Sequence, residues 1–131
     1  MTRERQGLGY LTEGGVRLVA ESYLMKRVEQ KDIDAVLAPA TAPKGRRKAP
    51  DQVTALLQEI YWFVYYNTDT STTVIGKALN RSRAAVSEGA RRCDVNLSPR
   101  LAYSRKIERE MMTYLGECRD KGLMKSRIKK R

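Results

Sequence analysis

Residues 72–93, TTVIGKALNRSRAAVSEGARRC, read as a short helix, a tight turn and a second helix. Val74, Ile75, Ala78 and Leu79 recur at helical spacing, and Ser71 or Thr72 can cap the start by accepting from the unpaired N–H groups of the first turn. Asn80 stands where that helix has to stop. A left-handed residue is wanted there, and asparagine substitutes for glycine in that conformation. Ser82 can cap the next helix, while Val86, Ala90 and Cys93, at steps of four and three, turn inward. This is the layout of a helix-turn-helix, which places its second helix in the DNA major groove. In that geometry Arg83 and Ser87 reach base edges, Ala84 and Ala85 lie against thymine methyls, and Arg81, Arg91 and Arg92 lie nearer phosphates. Lys77 and Ser82 complete the expected contact set. Many helical bundles carry a short helix pair with arginines outside, so the flanking segments decide between the readings.

Immediately upstream, Val53, Leu56, Leu57, Ile60, Phe63 and Val64 mark a buried face over roughly four turns, with Asp51 as a suitable N-cap. Tyr61, Trp62, Tyr65 and Tyr66 thicken this helix; at helical spacing beside aliphatics they favour a core over base stacking. Before it, APATAPKGRRKAP (residues 38–50) holds three prolines and a glycine and cannot be helical throughout. Its cations Lys44, Arg46, Arg47 and Lys48 either solvate a spacer or form an arm that enters the minor groove or clamps phosphates, and their position before the helix pair favours the arm.

Downstream, Ser98-Pro99 offers an N-cap and a first-turn proline for a closing helix, on which Leu101, Ser104, Ile107, Met111, Leu115 and Cys118 share one face and which Gly122 ends. Residues 125–131, KSRIKKR, read as a basic tail, disordered when free, that adds non-specific affinity or only solubility. At the other end, RQGLGYLTEGG (residues 5–15) reads as a flexible start, and Gly7-x-Gly9 follows no strand that would make it a dinucleotide fingerprint. Val16, Val19, Ala20, Tyr23, Leu24, Val28, Ile33 and Leu37 then fit one or two amphipathic helices, which dock on the core or, alternatively, pair with a second copy.

Composition narrows the partners. The 131 residues suit one core with short appendages, and 26 Lys and Arg against 15 Asp and Glu leave a net charge of +11, which favours a polyanion. The cations lie on both sides of the first long apolar helix: residues 51–75 carry none, and residues 41–50 carry four with no acid. No histidine occurs and the two cysteines are 25 residues apart, so a Cys/His zinc site, a Cys–His nucleophile and a hydrolase triad of the usual kind are excluded by inventory. The scattered acids have no metal or acid–base spacing, so neither an enzyme nor a cofactor is expected. No apolar run approaches the ~20 residues of a membrane span. A cytoplasmic, nucleoid-associated protein with no membrane contact and with reduced, core-buried cysteines is therefore expected.

Taken in order, basic loop, long apolar helix, short helix, turn, arginine-led helix and closing helix match a known arrangement. The region from about Lys44 to Cys118 resembles the C-terminal DNA-binding domain of the bacterial replication initiator DnaA, a Trp-repressor-like helical domain. Its anchor is Ile75-Gly76-Lys77-Ala78-Leu79-Asn80-Arg81-Ser82-Arg83-Ala84-Ala85-Val86, of which Gly76, Arg81 and Val86 match the family's pattern outright. The resemblance implies a minor-groove arginine at Arg46 or Arg47 and a major-groove reader at 82–85. There the chain departs from the family, because Ser82, Arg83, Ala84 and Ala85 replace an acid, a His or Arg, and two threonines. A different site or weaker specificity follows. With no Walker-type loop, the chain reads as a freestanding relative without the ATPase module, of phage or mobile-element kind.

The expectation is an all-α helix-turn-helix bundle of the Trp-repressor and DnaA type. Residues 1–40 form a helical extension, 41–50 a basic linker, 51–120 the DNA-binding domain and 121–131 a basic tail. Its expected task is sequence-specific binding of double-stranded DNA in transcription or replication. The alternatives are a protein-interaction module, such as a small inhibitor or adaptor with a protein partner, and a non-specific nucleoid or RNA-binding protein. A homodimer through the N-terminal helices goes with the pairing alternative.

Overall fold

From Ile60 to Tyr66 apolar and aromatic residues occupy every side of the segment Asp51–Asn67, and a helix stretch of that kind has to be buried nearly all round. In the computed structural model, which describes residues 9–38 and 51–125, it is the central helix α3. Before it come a strand β1 (Tyr10–Leu11), α1 (Glu13–Met25) and α2 (Gln30–Leu37). After it come α4 (Thr72–Leu79), α5 (Arg83–Leu97), α6 (Leu101–Asp120) and a strand β2 (Met124–Lys125). Val53, Leu57, Ile60, Phe63 and Val64 are buried, and so are Tyr61, Trp62 and Tyr66, which makes the aromatic cluster core. Leu56 and Tyr65 pack at its margin. The all-α bundle expected from the periodicity is the fold observed, and none of the described helices is long and apolar enough to cross a membrane.

Residues 16–37 form two helices, broken between Lys26 and Glu29. The α1 stripe Val16, Val19, Ala20, Tyr23 and Leu24 is buried against α3, α4 and α6 of the same chain, and one hydrophobic cluster runs from Leu11 to Cys118. The N-terminal extension therefore docks on the core.

Three local expectations are corrected. The glycine-rich start is ordered from Gly9: Tyr10 and Leu11 pair antiparallel with Lys125 and Met124. The reason is close approach, since a Cβ on Gly15 would lie 2.6 Å from the Leu123 carbonyl oxygen. Thr12 caps α1 by accepting from the Gly15 N–H at 3.1 Å, and its own N–H donates to the Leu123 carbonyl at 2.9 Å. Lys125 is accordingly part of a strand; residues 126–131, like Gly7, lie outside the described residues. The second correction concerns Ser98, which keeps helical angles (φ −51°, ψ −46°) and finishes α5 by donating to Asp94, so Arg100 precedes α6 with no side-chain cap. The third is Leu101, the first residue of α6, which is exposed while Ser104, Ile107 and Met111 further along the helix are buried. Gly122 (φ +74°) stops α6 as expected.

Both cysteines are free and buried, and burial pushes the thiol of Cys93 up to about 12 and that of Cys118 up to about 11. A buried polar network ties α1, α3 and α6 together. The Glu59 carboxylate accepts from the hydroxyls of Tyr23 (2.5 Å) and Tyr103 (2.7 Å). Arg27 stacks 3.8 Å over the Tyr23 ring and forks onto Glu110 (2.9 and 2.5 Å), which also accepts from Tyr114 at 2.7 Å.

Burial, followed by the bond to a carboxylate, raises all three phenols, Tyr103 and Tyr114 to about 12 and Tyr23 further. Only the unfolded chain ionises them near 10, so their contribution to stability is complete below pH 10 and is lost as the pH rises through the folded values. An ultraviolet titration of the native protein should therefore leave at least three of the seven tyrosines silent until about pH 12, with the fold weakening over the same interval. Ionisation of all seven near pH 10 in folded protein would contradict the network.

Candidate nucleic-acid interface

The α4–α5 pair is built from local signals. Ser71 caps α4 by accepting from the Val74 N–H at 3.2 Å, and Ser82 caps α5 by accepting from Ala85 at 3.1 Å. Between them Asn80 takes the left-handed conformation (φ 58°, ψ 47°), and the N–H groups of Asn80 and Arg81 both donate to the Gly76 carbonyl. The turn folds back so closely that a Cβ on Gly76 would lie 2.4 Å from the Arg81 carbonyl oxygen. Glycine at position 76 thus has a steric reason.

On α5, Val86, Gly89, Ala90, Cys93 and Leu97 are buried. The opposite face presents Arg83, Ala84, Ala85, Ser87, Glu88, Arg91 and Arg92 to solvent, and Lys77 is exposed on α4. Arg92 pairs with Glu88 at 3.2 Å, an exposed contact of small energetic weight. Lys77, Arg83 and Arg91 meet no carboxylate among the described residues. The start of α5 therefore combines the positive end of the helix dipole with the Arg83 guanidinium, while the Ser82 hydroxyl accepts one bond as the cap.

Arg81 is placed differently from the exposed row. Its guanidinium is half-buried and donates to the carbonyls of Val36 (2.8 Å), Asn80 (3.2 Å) and Leu79 (3.3 Å). The side-chain amide of Asn80 donates to Leu37 at 2.5 Å. The last carbonyls of α2 have no partner within that helix, and the turn supplies their donors. The matched arginine and the left-handed asparagine thus clamp α2 to the turn. Their partners are 43 and 45 residues away, so no local pattern signals the clamp. The expected contacts Lys44, Arg46, Arg47 and Lys48 lie outside the described residues, but the chain enters that segment from Ala38, beside the turn.

The chain matches no family model, no curated protein and no solved structure. What bears on its function is its own chemistry. Among the described residues no group of three or more Cys, Asp or Glu is placed to hold a metal ion. Exposed cations stand at the α4–α5 pair, with Lys77 and Arg83 beside the start of α5 and Arg91 and Arg92 further along its outer face.

Proposed function

We propose that this protein binds double-stranded DNA at specific sites, with α5 in the major groove, and thereby regulates transcription or replication. The observation that carries the reading is the capped, exposed start of α5: its inner face is packed on α3, and its outer face carries Arg83, Ser87 and Arg91. Arg83 offers a bidentate fork for a guanine edge, Ser87 one turn later reads an adjacent base, and the methyls of Ala84 and Ala85 face thymine. Lys77, Arg91 and Arg92 neutralise phosphates and set register without reading sequence. By resemblance to the DnaA domain, Lys44, Arg46, Arg47 and Lys48 would follow the adjacent minor groove. Arg81 acts from behind, holding the turn rather than touching phosphate.

The test is selection of bound sequences from a random duplex library at roughly physiological salt, where non-specific attraction is partly suppressed. Enrichment of one compact sequence is the expected result. Binding without enrichment would reduce the reading to non-specific attraction, and absence of binding would overturn it.

A further inference from the structure

Val95 near the end of α5 and Leu101 at the start of α6 are 66% and 61% exposed, and both border one groove of about 630 Å³. Trp62, Leu97, Pro99 and Arg105 also line it. Neither side chain belongs to the buried core, and apolar residues gathered at a concavity are the composition of a binding groove. The surroundings are cationic. Leu101, Arg105 and Arg109 follow one another at four-residue spacing on one face of α6, with Lys106 beside them and Arg100 just before the helix, stacked 4.4 Å over Tyr103. All four cations are exposed, and none is in an ion pair with a described residue. The lining itself holds two acids, Asp94, which accepts from the Trp62 indole at 2.9 Å, and the half-buried Glu108, which has a partner, against Arg105; the positive excess comes from Arg100, Lys106 and Arg109 around it.

We infer that this groove docks an acidic segment of a partner protein, which sets one or two large apolar side chains against Val95 and Leu101 and its carboxylates against Arg100, Arg105, Lys106 and Arg109. Charge complementarity selects the occupant's sign, and the apolar floor selects its class. A ridge of phosphates gains nothing from Val95 and Leu101, whereas a peptide buries both. The location fits a second partner, because Val95 is twelve residues beyond Arg83, about 18 Å along the helix at the rise of an α-helix. A duplex held at the start of α5 leaves this end of the helix open.

The experiment is selection from a displayed random peptide library on the full chain, with the fold of each variant checked by circular dichroism. Enriched peptides should combine acidic residues with large apolar ones. They should bind the L101E/R105E variant more weakly by about tenfold or more, bind the milder R105A/R109A variant at intermediate strength, and bind R83A as they bind the unmodified chain. The inference is overturned by enrichment of neutral or basic peptides, by no enrichment, or by undiminished binding to L101E/R105E. It is equally overturned if L101E/R105E loses duplex affinity as R83A does, since the face would then serve DNA.

Discussion

Gly76→Ala is expected to destabilise the protein by about 2 kcal/mol, although alanine is the better helix former. At an unconstrained helical position the exchange gains up to about 1 kcal/mol. Here the new Cβ would stand 2.4 Å from the Arg81 carbonyl oxygen, a backbone atom that cannot swing aside as a side chain would. Overpacking of that kind costs about 3 kcal/mol. The clash wins, and because the turn has to open, the caps at Asn80 and Ser82 and the clamp onto α2 are disturbed with it. For a chain of this length the melting temperature should fall by roughly 8 °C. Gly116→Ala is the control: nothing lies within 4 Å of its added Cβ, in the second-last turn of α6, so the same substitution should raise the melting temperature by a few degrees, in line with a gain of up to about 1 kcal/mol. A thermal unfolding series that ranks the two variants the other way would refute the geometry of the turn.

Arg83→Ala is the largest expected functional effect. A bidentate contact to a guanine edge is worth about 1–3 kcal/mol of discrimination, so affinity for the selected sequence should fall by about five- to 150-fold. Affinity for a shuffled duplex should change little beyond the loss of one charge. Arg83 has no carboxylate partner among the described residues and is exposed, so its removal leaves the fold intact. Titration of both duplexes with both proteins separates the cases. Equal loss on every sequence makes Arg83 a phosphate contact and moves base reading elsewhere on α5.

The legible parts of the fold are those whose signals are local. As caps, Ser71, Asn80 and Ser82 each bond within four residues of their own position, and the apolar spacing of α3 to α5 repeats within single helices. That is why the turn and the inward face of α5 could be read from residues 72–93 alone. The aromatic run of α3 was legible as core for the same reason. What was not legible depends on distance along the chain. The Glu59 carboxylate meets its two tyrosines 36 and 44 residues away, and nothing near Glu59 marks it as buried. Arg81 was read as a phosphate contact because its neighbours are outward-facing, and only the end of α2 reveals that it turns inward. Ser98-Pro99 carried a helix-start signature that α5 overrode by extending through Ser98. Leu101 kept the apolar spacing of α6 but is exposed at the helix start, and periodicity does not say where along a face the burial begins.

The pairing of Tyr10 and Leu11 with Met124 and Lys125 also bears on how the chain is made. Thr12 can complete the cap of α1 before any later segment exists, but its bonds to the Leu123 carbonyl join residues 111 apart. At ribosomal rates that partner emerges on the order of ten seconds later. During that interval Gly15 lacks the backbone it packs against, and the buried stripe of α1 waits for α6, its last covering helix. The earliest of the described helices is therefore among the last to be enclosed. A nascent chain of this protein carries an open apolar face until translation has passed α6, which is when a chaperone would find it.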